Sequence, residues 1–408
     1  MRSAQRAAGS GFALAIAYWL GASSIALPAE ADRVRGPLSQ RWFVASQSDA
    51  TLAQAGQAVP APAPTSDQVF KNIQVLKGIP VDQFMDAMGM FSSSLGYDCS
   101  SCHSQDIHFD RAAFATTTPL VTRARQMIAM MNGLNEANFG GRPRVTCYTC
   151  HRTSPTPDDV PSLAAQYADV VNDPNSMNLV KSRSVTPDQV FAKYMTALGG
   201  AEKVAALTSF VARGSYGGFN TGGADLPLEI DAKAPNLRLQ IVKAPDAENV
   251  KTYNGQTAWV AEGWRPLPLM ELTAGNLEGA RIEALTMFPA TIKDAFTGWQ
   301  VGSATIDDKP VQVLQGRSAA SPLPVNFYFD QGSGLLVRSV RWNRTPVGTV
   351  PAQMDFSDYR DVNGVKIPFK IVITWTDGQN TIALNQVQAN VPIDAAKFAT
   401  PKPFVQKK

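Results

Sequence analysis

Cys99-Ser100-Ser101-Cys102-His103 and Cys147-Tyr148-Thr149-Cys150-His151 are two copies of one pattern, Cys-x-x-Cys-His, and together they hold every cysteine of the 408-residue chain. The pattern is the attachment signature of c-type haem. Cysteines at i and i+3 form thioethers to the two vinyl groups of one porphyrin, and the histidine that follows ligates the iron. The expectation is two covalently bound haems c, attached through Cys99, Cys102, Cys147 and Cys150, with His103 and His151 as proximal ligands. A zinc ribbon spaces its cysteine pairs by roughly 15–20 residues, whereas the gap here runs from Cys102 to Cys147. Zinc also leaves the two trailing histidines unexplained. A thioredoxin-like motif needs a βαβ context, and the flanking segments read as helical.

A six-coordinate haem iron takes a second axial ligand, His or Met. His108 is the single histidine outside the motifs, so methionine must serve at least one iron. Before the first motif, Val81, Phe84, Met88, Phe91 and Leu95 recur at helical spacing and define one apolar face. That face presents Met88 or Met85, with Met90 off it, and Gly96 suits the helix end. A second helix starts at Thr118-Pro119 and runs to about Asn138, before Gly140-Gly141. Leu120, Met127, Met131 and Leu134 share its stripe, with Met130 at the edge. Core packing is the ordinary role of any one of these methionines. His108 reads as a hydrogen-bonding or exposed residue rather than a ligand to the second iron. Arg123, Arg125, Arg142, Arg144 and Arg152 cluster around the second motif, as propionate partners or as a solvated face.

Two stretches resemble the tetrahaem cytochrome subunit of photosynthetic reaction centres, whose unit is a helix with an axial Met, a turn, then Cys-x-x-Cys-His. One runs from Met88-Gly89-Met90-Phe91 to Cys99-Ser100-Ser101-Cys102-His103. The other is Arg125-Gln126-Met127-Ile128-Ala129-Met130-Met131-Asn132, followed by Cys147-Tyr148-Thr149-Cys150-His151. The resemblance covers roughly residues 67–153 and implies Met88 and Met127 as the axial methionines. This chain has cysteines for two haems where that subunit carries four, and it lacks the histidines for a bis-His haem. Electron transfer is therefore carried over and photosynthesis is not.

Arg2 and Arg6, an apolar run from Gly11 to Leu27, and Ala29-Glu30-Ala31 make residues 1–31 read as a secretory signal peptide. The expected location is periplasmic; an uncleaved segment would tie the chain to the membrane instead. Residues 32–66, ending Pro60-Ala61-Pro62-Ala63-Pro64, read as an extended linker. The net charge of +3 is too small to imply nucleic acid as a partner. With all four thiols committed to haem, no disulfide is expected.

Residues 153–185 read as a second linker. Thr186-Pro187-Asp188 then starts a helix that ends near Gly199-Gly200. From Ser209 onward, strand-like runs alternate with turn pairs: Asn254-Gly255, Asp307-Asp308, Gly332-Ser333-Gly334, Asn363-Gly364 and Asp377-Gly378. Ile367, Phe369, Ile371, Ile373 and Trp375 alternate with Lys370, Val372 and Thr374, the pattern of a sheet covered on one side. The leading helix, Leu198-Gly199-Gly200 with Ser209-Phe210, Asp358 to Phe369, and Lys397 to Pro401 resemble the periplasmic lipoprotein-carrier (LolA-like) half-barrels. That resemblance implies an antiparallel half-barrel with an apolar cavity. No His or Cys follows His151, which excludes a Ser-His triad, a cysteine nucleophile and a His-rich metal site from residues 152–408.

The reading is an α+β two-domain chain: a small helical dihaem cytochrome c domain (67–152), then an antiparallel β half-barrel with a leading helix (186–408). Its expected role is electron transfer with the redox proteins of an electron-transport chain, with a hydrophobic small molecule as a candidate occupant of the β domain. Rival readings are a dihaem peroxidase-type enzyme with one open iron, and a lipid carrier or sensor with a cytochrome domain.

Overall fold

The computed structural model describes residues 62–108, 110–161, 173–182, 184–245, 247–319 and 321–405. The expected signal segment, most of the 32–66 linker and the His108 side chain lie outside the described residues. Residues 61–408 form one compact unit.

Thirteen strands among the described residues form one open antiparallel sheet, ordered β6-β5-β4-β3-β2-β1-β13-β12-β11-β10-β9-β8-β7. They are β1 (Ser209–Gly218), β2 (Leu226–Lys233), β3 (Leu237–Ala244), β4 (Ala247–Tyr253), β5 (Ala258–Ala261), β6 (Met270–Leu272), β7 (Thr297–Ile306), β8 (Lys309–Arg317), β9 (Pro324–Asp330), β10 (Leu336–Thr345), β11 (Gly348–Val362), β12 (Val365–Trp375) and β13 (Gly378–Ala389). Two meanders join where β1 pairs with β13, Phe210 opposite Ala389. The turn pairs read from the sequence sit between strands as expected. Asp307, Asp308 and Asn363 have positive φ, which tight hairpin turns require and Asn or Asp tolerates. The alternation of β12 is clean from Val365 to Lys370 and fades toward Trp375, where Phe219 packs against that indole.

The longer helices among the described residues are α1 (Val81–Leu95), α2 (Pro119–Phe139), α3 (Pro187–Leu198) and α4 (Ala274–Leu285). Their starts follow local chemistry. The Thr118 and Thr186 side chains accept from backbone N–H groups of the first turn, and a proline at the first helical position has no N–H to satisfy. Gly96 and Gly140 end α1 and α2 in left-handed conformation. α3 and α4 cover the apolar face of the sheet. Phe191, Tyr194 and Leu198 of α3 and Ile282 and Leu285 of α4 share a buried core with Phe210, Phe327 and Phe356. Beside Tyr194 that core leaves an enclosed space of about 30 Å³, room for water rather than an acyl chain.

α1 is docked onto the sheet by its polar side. Thr273 donates its backbone N–H and its hydroxyl to Asp82 at 2.6 and 2.8 Å. Asn276 and Asn343 donate to Asp86 at 2.8 and 2.5 Å. Thr273 is the N-cap residue of α4 and Asn343 lies on β10, so two carboxylates tie three elements together. Gly89 passes against the β12–β13 turn: a Cβ there would stand 2.9 Å from Thr376 Oγ1 and 3.2 Å from Asp377 Oδ1. Met90 packs against Gly348 at the start of β11. The segments 67–152 and 186–408, separate in the sequence reading, thus meet over an extensive contact.

Two outcomes test this docking. In an exposed helix Gly→Ala gains up to about 1 kcal/mol. Gly89→Ala is instead expected to destabilise by about 1–3 kcal/mol, read from the urea midpoint. Burial raises the Asp86 carboxyl from 3.8 to about 6, opposed in part by Arg341 and the amides of Asn276 and Asn343. A folded pKa above the unfolded one means that this group's contribution is present below about pH 4 and is lost as pH rises through 6. At 1.36 kcal/mol per unit, up to about 3 kcal/mol goes. Asp86→Asn should flatten unfolding free energy between pH 4 and 6.

Candidate haem-binding site

Each motif lies on a single helical turn, which places cysteines three apart on one side. In the first turn, Cys99–Cys102, Asp98 caps the start: it accepts from Ser101 N at 2.8 Å and from the Ser100 and Ser101 hydroxyls at 2.9 and 2.7 Å. In the second, Cys147–His151, Thr146 and Thr149 form a reciprocal capping box. The motifs dock crosswise. The Thr118 hydroxyl at the start of α2 donates to the Cys102 carbonyl at 2.6 Å. The second motif meets the end of α1, where Thr153 N donates to Ser94 O at 2.9 Å.

The histidines are set up as ligands. His151 Nδ1 lies 3.0 Å from the Ser154 carbonyl. A carbonyl only accepts, so Nδ1 carries the proton and the lone pair is left on Nε2, the arrangement typical of metal-bound imidazole. His103 Nδ1 is buried without a hydrogen bond, and the Phe114 ring stands edge-on at 5.0 Å. Burial lowers the His103 pKa; the Phe114 backbone, near but outside bonding geometry, only partly opposes this. The ring therefore stays neutral, the form that coordinates metal.

The helices flanking the motifs leave apolar surface uncovered. On α1, Asp82, Asp86 and Gly89 face the sheet. Phe84, Met88, Phe91 and Leu95 point to the opposite side and are only half-buried. That stripe packs away from the sheet: Met88 and Phe91 lie on the cluster of Ala87, Met90, Ile128 and Met131, and Phe84 stacks on Phe70 at 4.9 Å. On α2, Ile128 and Met131 are buried, whereas Leu120, Met130 and Leu134 are 41–50% exposed and Met127 is half-buried. Met88 and Cys147 pack on one cluster with Ile128 and Met131; Met127 lies on the uncovered flank of α2. Met90 and Met131, each 5% exposed, are committed to the core.

Burial raises the Cys99 and Cys102 thiols and lifts Cys147 to about 11, so these are not activated thiolates. Among the described residues no three Cys, His, Asp or Glu side chains converge on a metal-sized site, and the two pairs do not build a zinc cluster. The carboxylate of Asp377, from the β12–β13 turn, acts on Cys99 as well. Sequence reasoning missed Asp377 and the Asp82–Asp86 docking face. Aspartates at i and i+4 opposite Phe84 and Met88 were a readable signal of a second committed face. The partners on α4 and β10 lie some 190 to 257 residues away and carry no local signature.

The family model described as photosynthetic reaction centre cytochrome C subunit matches residues 37–205. The photosynthetic reaction center cytochrome c subunit of Rubrivivax gelatinosus is 28% identical over 101 residues, 24% of this chain and 26% of that protein. The N-terminal half of this chain resembles the reaction-centre cytochromes. The matched stretch spans about a quarter of the curated relative. Among solved structures, a DUF1329 family protein from Desulfovibrio piger aligns with a TM-score of 0.37 at 10% identity, covering 52% of this chain and 96% of that one. A LolA superfamily protein from Nitrosomonas europaea aligns with a TM-score of 0.36 at 12% identity, covering 53% and 98%.

The division of the methionines is open to a direct check. Met131→Ala should cost about 2–5 kcal/mol of stability, as truncation in a packed core does, and leave the haem absorption bands in place. Met127→Ala should change the bands at a smaller cost in stability.

Proposed function

We propose that this protein is a periplasmic dihaem c-type cytochrome that transfers electrons between redox partners. The observation that carries the reading is the pair of Cys-x-x-Cys-His turns set beside two helices, α1 and α2, that bear the partly buried Met88 and Met127. A haem bound at such a site supplies a one-electron Fe(III)/Fe(II) couple. The chain's own part is to hold and tune it. Cys99 with Cys102, and Cys147 with Cys150, attach one porphyrin each. His103 and His151 would offer imidazole ligands, and Met88 and Met127 thioether ligands. The half-buried faces of α1 and α2 exclude water, and a soft thioether ligand favours the reduced iron relative to a second histidine.

The chemistry would be electron transfer rather than bond-making, with Met88 and Met127 each offering a thioether to an iron. The peroxidase reading needs one iron open. The lipid-carrier reading needs room: the enclosed space beside Tyr194 is about 30 Å³, so a hydrophobic small molecule enters there only if α3 moves. With α3 seated, the sheet acts as a scaffold for α1.

The reduced spectrum with and without carbon monoxide tests the proposal. The native protein should show two low-spin haems per chain by pyridine haemochrome and no carbon monoxide adduct. Met88→Ala and Met127→Ala should each open one iron, so that about half of the haem binds carbon monoxide. Rapid carbon monoxide binding by the native protein would replace the carrier with an open-site enzyme, and absence of haem would end the reading.

A further inference from the structure

The two motif histidines are oriented by different means. His151 Nδ1 lies 3.0 Å from the Ser154 carbonyl, three residues along, so its ring is held by its own turn. His103 Nδ1 is buried with no hydrogen-bond partner, and its ring meets Phe114 edge-on at 5.0 Å between centroids. Phe114 sits on a five-residue 3-10 turn, Arg111–Ala115, and a helical turn of that length does not hold itself in place. What holds it comes from around it. Asp110 accepts from Ala112 N at 2.8 Å at the start of the turn, and Asn72 Nδ2 donates to the Ala115 carbonyl at 2.8 Å at its end. Arg111 reaches to the sheet. Its two terminal nitrogens donate to the Arg265 carbonyl, at 2.9 Å, and to the Gly263 carbonyl, both in the loop between β5 and β6. That loop is a firm anchor: Gly263 N donates to Asn249 Oδ1 of β4 at 3.1 Å, and the Arg265 side chain pairs with Glu262 at 2.8 Å. Phe404 of the C-terminal segment covers Gly263, where a Cβ would stand 2.8 Å from its ring, and Phe404 N donates to the Pro268 carbonyl at 2.7 Å.

We propose that Arg111 is a positioning residue for the first haem: by clamping the β5–β6 loop it fixes the Arg111–Ala115 turn, and through Phe114 it sets the orientation of the His103 imidazole. The inference rests on the dihaem reading and gives the sheet a part in it beyond seating α1. A guanidinium is a planar fork that serves two carbonyls at once, which the point charge of a lysine does not. The Phe114 backbone also acts on the His103 ring, near but outside bonding geometry. An acceptor at the ring nitrogen remote from the metal fixes the ring and makes the imidazole more basic. A more basic ligand favours ferric over ferrous iron. Releasing the turn therefore weakens that ligand and raises the potential of the first haem alone, because His151 keeps the Ser154 carbonyl.

The test uses the purified holoprotein, with two haems per chain confirmed first. A native protein without haem ends the dihaem reading and this inference with it; with haem present, the outcomes below concern the inference alone. Redox titration gives the two midpoint potentials. NMR of the ferrous protein carrying isotope-labelled histidine gives the Nδ1–H signals of His103 and His151, assigned by their contacts with Phe114 and Ser154. Arg111→Ala should raise one midpoint potential and leave the other in place. It should also speed solvent exchange of the His103 Nδ1–H by roughly tenfold or more, with that of His151 unchanged. Phe114→Ala should move the same haem and the same signal. Arg111→Lys, which can hold one carbonyl, should give smaller shifts of the same sign. The proposal is overturned if Arg111→Ala lowers the urea midpoint while both potentials and both signals stay where they were, since the clamp would then be structural only. Equal shifts at both haems overturn it as well, because the variant would then act on the fold as a whole.

Discussion

Asp82 and Asp86 fix which side of α1 meets the sheet, and the second motif, which meets the end of α1, is placed by that choice. Their carboxylates accept from Thr273, Asn276 and Asn343 at distances between 2.5 and 3.3 Å. Hydrogen bonds to a charged group are worth about 1.5–3 kcal/mol each, and a buried acceptor left without partners costs a similar amount. The polar side of α1 is thereby committed to the sheet, and its apolar side packs on α2, with Met88 and Phe91 on the cluster of Ile128 and Met131. Gly89 permits the close approach to the β12–β13 turn, and Met90 fills the gap against Gly348. Met88, just before Gly89 in sequence, is held on the opposite side, on the cluster that also takes Cys147 of the second motif.

The sheet serves this arrangement with two kinds of inner surface. Under α3 it is apolar and closed. Under α1 and along α4 it carries charge. Glu283 accepts from Lys251 at 2.6 Å and Arg238 at 3.2 Å. Burial pushes that carboxyl up, yet the two cations outweigh it and the net shift is downward. Arg341 donates to the Gly275 carbonyl at 2.7 Å and faces Asp86 and Glu283. Breaking one member of such a network leaves a buried charge without its partner, which is strongly destabilising. The network joins β3, β4, β10, α4 and α1, so the position of α1 is set by elements remote from the motifs.

Much of this was legible in the chain itself. Both motifs, the caps at Thr118 and Thr186, the left-handed glycines at 96 and 140 and the hairpin turns are local, and local chemistry decides them. The apolar face of α1 was also readable, since Phe84, Met88, Phe91 and Leu95 follow helical periodicity. What covers each face was not. Periodicity separates two faces of a helix without saying which one meets the sheet; here the polar face does, and the apolar one packs on α2. Met131 shared a stripe with Met127, and only tertiary packing divides them, one buried beside Ile128 and the other at the uncovered edge. The contact of Asp86 with Asn343 spans 257 residues and leaves no trace in either neighbourhood.

The central claim is that both cysteine pairs carry haem. Mass spectrometry of peptides from the protein purified out of a cell able to attach haem c tests it most directly. The account predicts that the peptides containing Cys99–Cys102 and Cys147–Cys150 each bear one haem, with no thiol left to alkylate. Alkylated thiols, or a disulfide at either pair, would contradict it.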